Sequence, residues 1–85
     1  MPDDGRLTDL ERFGQHVQAL REGRDMSQEE LAVRSGLSVD AIGRVERGEF
    51  SPPLTTLRKI CGGLDILLST LFDDFERGQW SGAEA

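Results

Sequence analysis

The chain has little of what most enzymes and membrane proteins are built on. It holds one cysteine and one histidine in 85 residues. A single cysteine excludes an internal disulfide and a cysteine-rich zinc cage, and it fits a reducing cytoplasm. With no acidic triad beside them, no metal site or nucleophile constellation can be assembled, so neither a cofactor nor an enzymatic activity is expected. No apolar run approaches the ~20 residues of a membrane span. The opening Met1-Pro2-Asp3-Asp4-Gly5 is too acidic and polar for a secretory leader. Positive charge is also short, with a net -6. What is there is ordinary for a soluble globular protein, at 36% hydrophobic and 31% charged residues. The reading is one small cytoplasmic domain over residues 1–85, with an ordered core from about 8 to 75 and short acidic tails.

The acidity is unevenly placed. Residues 1–11 set Arg6 against Asp3, Asp4, Asp9 and Glu11, and residues 60–85 set Arg77 against Asp65, Asp73, Asp74, Glu76 and Glu84. The middle stretch, 12–59, has eight basic and seven acidic residues. A basic face for nucleic acid is therefore available only in the middle, and the overall charge does not favour one.

Helical signals fill the chain, and no strand signal or repeat interrupts them. Thr8 and Glu11 form a possible capping box, and Leu10, Phe13, Val17 and Leu20 follow as one apolar stripe ending near Gly23. Arg21 and Arg24 then lie in the last turn, where cations suit the helix dipole. Ser27 caps a second helix with Glu30 completing its box. Met26 staples onto Leu31, Leu31 and Ala32 point inward, and Gly36 supplies a left-handed stop. Ser38 caps a third helix, from Val39 to about Arg47, whose inward residues are Ile42 and Val45. Its other face carries Val39, Asp40, Gly43, Arg44 and Arg47, and Gly48 with Ser51-Pro52-Pro53 prevents continuation. A fourth helix is expected from about Leu54 to Gly62, ended by the Gly62-Gly63 pair, with Leu57, Ile60, Cys61 and Leu64 apolar. A fifth runs from about Leu67 to Phe75. The predicted class is all-α: a compact five-helix bundle whose second and third helices, joined by a tight glycine turn, make a helix-turn-helix.

Residues 13–72 resemble the Cro/phage-repressor (Xre-like) helix-turn-helix family, a repressor-like DNA-binding fold. The matching text is Leu20-Arg21, Ser27-Gln28-Glu29-Glu30-Leu31-Ala32, Gly36-Leu37-Ser38, Ile42, Glu46-Arg47-Gly48, Pro52 and Leu57. The resemblance implies a third helix that reads the major groove, commonly from a dimer on a two-fold operator. By position, Gln28 would meet a phosphate, Ser38 the backbone beside helix three, and Arg47 would lie near the phosphates. Val39, Asp40, Gly43 and Arg44 would take the base-reading positions. Arg44 is the strongest single candidate, since a guanidinium pairs bidentately with guanine O6 and N7, and Val39 suits a thymine methyl. Arg21 and Glu46 match positions that form an internal ion pair.

Three residues depart from the family pattern. Asp40 is acidic on the reading face: it either accepts from cytosine N4 or steadies the helix start and repels phosphate. Gly43 removes a reading side chain, and Leu67 stands where a polar cap usually opens helix five. Cys61 is read as a small core hydrophobe, and His16 as surface or boundary packing. Leu67, Phe72, Phe75 and Trp80 gather apolar surface at one end, read as a two-fold dimer interface or as a cap on the bundle. The expected function is a sequence-specific transcriptional regulator, a repressor or controller. It would bind double-stranded operator DNA as a homodimer, with no membrane and no small-molecule ligand. The alternative is a protein-interaction module of the same fold, such as an antitoxin, for which the net charge and Asp40 speak.

Overall fold

The computed structural model describes residues 7–77, and these form five helices with no strand among them. They are α1 (Asp9–Gly23), α2 (Gln28–Ser35), α3 (Val39–Glu46), α4 (Leu54–Leu64) and α5 (Leu68–Arg77). Three starts follow from hydroxyl caps. Thr8 accepts from the Glu11 N–H at 3.0 Å while Glu11 Oε1 accepts from the Thr8 N–H at 2.9 Å. Ser27 and Glu30 repeat this box at the start of α2, at 3.0 Å in both directions. Ser38 caps α3 through the Ala41 N–H. Each box satisfies two N–H groups that a helix start otherwise leaves unpaired. Gly36 ends α2 at φ 73°, a left-handed conformation that a Cβ would strain.

The core is made by the predicted stripes. Phe13 and Val17 of α1, Leu31 and Ala32 of α2, Ile42 and Val45 of α3, and Ile60, Cys61 and Leu64 of α4 are buried together with Met26 and Leu71. Burial pushes the Cys61 thiol up, as expected of a small core hydrophobe with no base beside it. Gly14 lets α1 approach α3 so closely that a Cβ there would collide with the carbonyl oxygens of Val45 and Glu46. Arg24, just past α1, donates from Nε to the Leu64 carbonyl at 2.8 Å and from Nη1 to the Leu20 carbonyl at 3.1 Å.

Three expectations are corrected. The Gly62-Gly63 pair does not end α4, which runs two residues past Gly62 to Leu64, with Asp65 as its left-handed cap at φ 58°. The reason is packing of α4 on α2. A Cβ at Gly63 would stand 2.9 Å from Leu31 Cδ1 and 3.1 Å from the Ser35 nitrogen, whereas Gly62 faces open space. Aspartate tolerates the left-handed region better than most side chains, so it closes the helix in place of glycine. His16 is not at a boundary. It is 1% exposed, and its Nε2 is 3.1 Å from the Leu71 carbonyl oxygen, joining α1 to α5. Desolvation lowers its pKa from the usual 6.5, with the Leu71 carbonyl and the charge of Asp74 pulling the other way. Finally, α5 begins at Leu68, one residue later than expected. Leu67 contributes its carbonyl to the Leu71 N–H at 3.0 Å while its side chain is 70% exposed.

Candidate nucleic-acid interface

The second and third helices meet through one carboxylate. Arg21 sends Nε to Glu46 Oε2 at 2.7 Å and Nη2 to Glu46 Oε1 at 3.0 Å, while its Nη1 donates to the Met26 carbonyl at 2.8 Å. Both side chains are almost wholly buried. A buried charge needs this degree of pairing, because desolvation otherwise costs several kcal/mol. The Glu46 hydrogen bond, the largest influence, raises the Arg21 pKa above its already high value. Gln28 completes the cluster by donating from Nε2 to Glu46 Oε1 at 2.9 Å. The resemblance implies that the Gln28 amide would meet a phosphate. In the free chain that amide is spent on Glu46, leaving one of its two N–H donors for any ligand.

With Ile42, Val45 and Glu46 facing inward, α3 turns Val39, Asp40, Arg44 and Arg47 outward, all of them exposed. Gly43 does not join them. It is buried, because the Arg47 guanidinium lies over it: Nη1 is 2.9 Å from where a Cβ would stand. A base edge could not touch Gly43 without first moving Arg47. Ser38, exposed at the head of α3, caps the Ala41 N–H with its hydroxyl.

Both outward arginines have acidic companions. Arg44 Nε lies 3.1 Å from Asp40 Oδ2, one turn back on the helix. Arg47 grips Glu49 with two prongs, Nε to Oε2 at 2.8 Å and Nη2 to Oε1 at 3.2 Å. That hydrogen-bonded fork pulls the Glu49 carboxyl below its ordinary range and raises Arg47. Of these companions, Glu49 was missed from sequence. It lies beyond the helix end, and only the turn at Gly48, with φ 72°, brings it back beside Arg47.

The C-terminal aromatics divide. Phe75 packs edge-on to Phe13 with ring centres 5.4 Å apart and also meets His16, so it belongs in part to the core. Phe72 stacks on Phe13 at 5.6 Å yet keeps 37% of its surface exposed. With Leu10, Pro52 and Leu57, these rings line an apolar groove of about 200 Å³. Trp80 lies outside the described residues. No helix among the described residues is long and apolar enough to cross a membrane.

A model of the helix-turn-helix family matches residues 17–71. The control protein C.MunI of a Mycoplasma species is 40% identical over 67 residues, which is 78% of this chain and 90% of that protein. The restriction-modification controller protein C.AhdI from Aeromonas hydrophila superposes with a TM-score of 0.73 at 42% identity, covering 75% of this chain and 97% of that one. The immunity repressor protein of Bacillus phage phi105 is 34% identical over 58 residues, 68% of this chain. This chain spans 40% of that repressor and 29–43% of several other curated regulators it matches. Fold, motif and relatives agree: the chain belongs to the helix-turn-helix family, of the Cro/phage-repressor kind.

Proposed function

We propose that this chain is a sequence-specific DNA-binding transcriptional regulator, a repressor or controller that works in the cytoplasm and binds a two-fold operator as a homodimer. The observation that carries the reading is α3. One side of it is locked to α1 and α2 by Ile42, Val45 and the Arg21–Glu46 pair, and the other presents Val39, Arg44 and Arg47 to solvent. The similarity to the control protein C.MunI along 90% of that protein's length supports the same role. The contacting set is Gln28, Ser38, Val39, Asp40, Arg44 and Arg47, with Gly43 serving as the floor under Arg47.

Affinity has an unusual source here. Asp40 and Glu49 cancel the charge of Arg44 and Arg47, so the face attracts phosphate weakly. Two linked heads compensate through effective concentration. Leu67 and Phe72, the exposed apolar residues of the α5 end, are the surface for pairing, with Phe75 behind them and Trp80 beyond the described residues. Footprinting on the DNA upstream of the protein's own gene, over a salt series, tests the reading. A protected two-fold sequence is expected, bound more weakly as salt rises and lost on Arg44→Ala. No protected sequence at any salt would sink it. The net charge of -6 favours a second reading, a module that binds a partner protein, and that same blank footprint would support it.

A further inference from the structure

The family resemblance implies a place for Arg47 near phosphate, but its surroundings suit another task. Glu49 occupies one edge of the guanidinium, Nε and one Nη2 hydrogen, at 2.8 and 3.2 Å. The other edge, Nη1 with the second Nη2 hydrogen, has no partner among the described residues and lies over Gly43 on the outer side of α3. An arginine paired to Glu49 is locally neutral, so it offers phosphate no gain in charge and places a carboxylate nearby to repel it. A base edge is uncharged and asks for direction, which a two-pronged carboxylate supplies. Guanine presents O6 and N7 to such a free edge in the major groove. Gly43 provides the strip of bare backbone on which the planar group can lie.

We propose that Glu49 is a positioning residue that holds Arg47 across Gly43, so that Arg47 reads a guanine of the operator. The proposal rests on the DNA-binding reading above. It adds a second base reader to Arg44 and explains a glycine in the middle of a recognition face. Arg44 with Asp40 repeats the arrangement with a single close contact.

The test is selection from a random duplex library followed by sequencing, run on the full chain and on Arg47→Ala, Glu49→Gln and Gly43→Ala. The unaltered chain should enrich a motif containing one guanine whose preference Arg47→Ala abolishes. Glu49→Gln and Gly43→Ala should lower preference at that same position, from roughly tenfold or more to about twofold, leaving the other positions intact. The Gly43→Ala melting midpoint should hold or rise, because the new methyl meets only the flexible end of Arg47. If Arg47→Ala instead weakens all sequences alike and flattens the salt dependence by about one phosphate contact, Arg47 is a phosphate ligand. The proposal then falls while the DNA reading stands. If the guanine depends on Arg47 but survives Glu49→Gln, the positioning role is overturned. If the unaltered chain enriches nothing, the DNA-binding reading fails and takes the proposal with it.

Discussion

Arg21–Glu46 and Arg47–Glu49 are the same chemical pair, each joined by two prongs at 2.7 and 3.0 Å or at 2.8 and 3.2 Å. One lies inside between α1 and α3, and the other lies on the surface with both side chains about half exposed. Geometry is nearly constant between them and surroundings are not. Glu46 cannot be removed without leaving the buried Arg21 charge with two donors, Nε and Nη2, unsatisfied in the core, and the part-buried Gln28 amide without its acceptor. The outer pair trades protein for water at little cost. Architecture therefore rests on the first, and the second adds little to stability.

The largest expected effect comes from breaking the inner pair alone. Glu46→Ala should cost about 3–5 kcal/mol in urea unfolding, a large share of the total stability of a small domain. The double variant Arg21→Met, Glu46→Leu should recover a good part of that loss. A single variant as stable as the unaltered chain would erase the contrast between the inner and outer pairs.

Next come the two adjacent glycines of α4, which sharpen the same lesson about surroundings. Gly63→Ala forces a methyl against Leu31 and Ser35 and should destabilise by about 1–3 kcal/mol. Gly62→Ala meets nothing within 4 Å and should stabilise by up to about 1 kcal/mol. Thermal melts of the two variants should move in opposite directions, and movement in the same direction would refute the packing account.

A smaller effect concerns His16. Its pKa is lowered in the folded chain, so the unfolded chain binds the proton more readily. Its contribution is therefore complete above about pH 6.5 and is lost progressively as pH falls below that, until the lowered folded value is passed. Denaturant midpoints measured from pH 7.5 down to 5 should fall less steeply for His16→Gln than for the unaltered chain. Parallel curves would exclude the histidine as the cause. The smallest effect is on the outer pair: Glu49→Gln should leave the melting midpoint indistinguishable from the unaltered chain. A clear drop would mean that the surface fork also carries architecture.

These cases mark what can be read from sequence and what cannot. Helix starts were legible because a capping box is local: Thr8 with Glu11 and Ser27 with Glu30 are three residues apart and need nothing else. The inward stripes of α1 and α3 were legible for the same reason. His16 and Gly63 were misplaced, and the neighbours of Gly43 and of the Gln28 amide were not legible, because each is settled by a partner on another element or beyond the helix end. His16 meets Leu71, 55 residues away, and Gln28 meets Glu46, 18 residues away. Gly63 looks like a breaker until α2 is brought against it. Of the candidate interface, the exposed members of α3 could be named in advance. Their acidic restraint by Glu49 could not, since it depends on a turn rather than on helical spacing.

The Arg24 side chain carries a different kind of consequence. Its guanidinium reaches carbonyls in the last turns of both α1 and α4, Leu20 and Leu64. A helix C-terminus behaves as roughly half a negative charge, so two such ends converging would repel each other without a cation between them. One exposed arginine thus serves as a shared electrical terminus for two helices. It moors the α4–α5 turn, and with it the surface proposed for pairing, to the first helix of the domain.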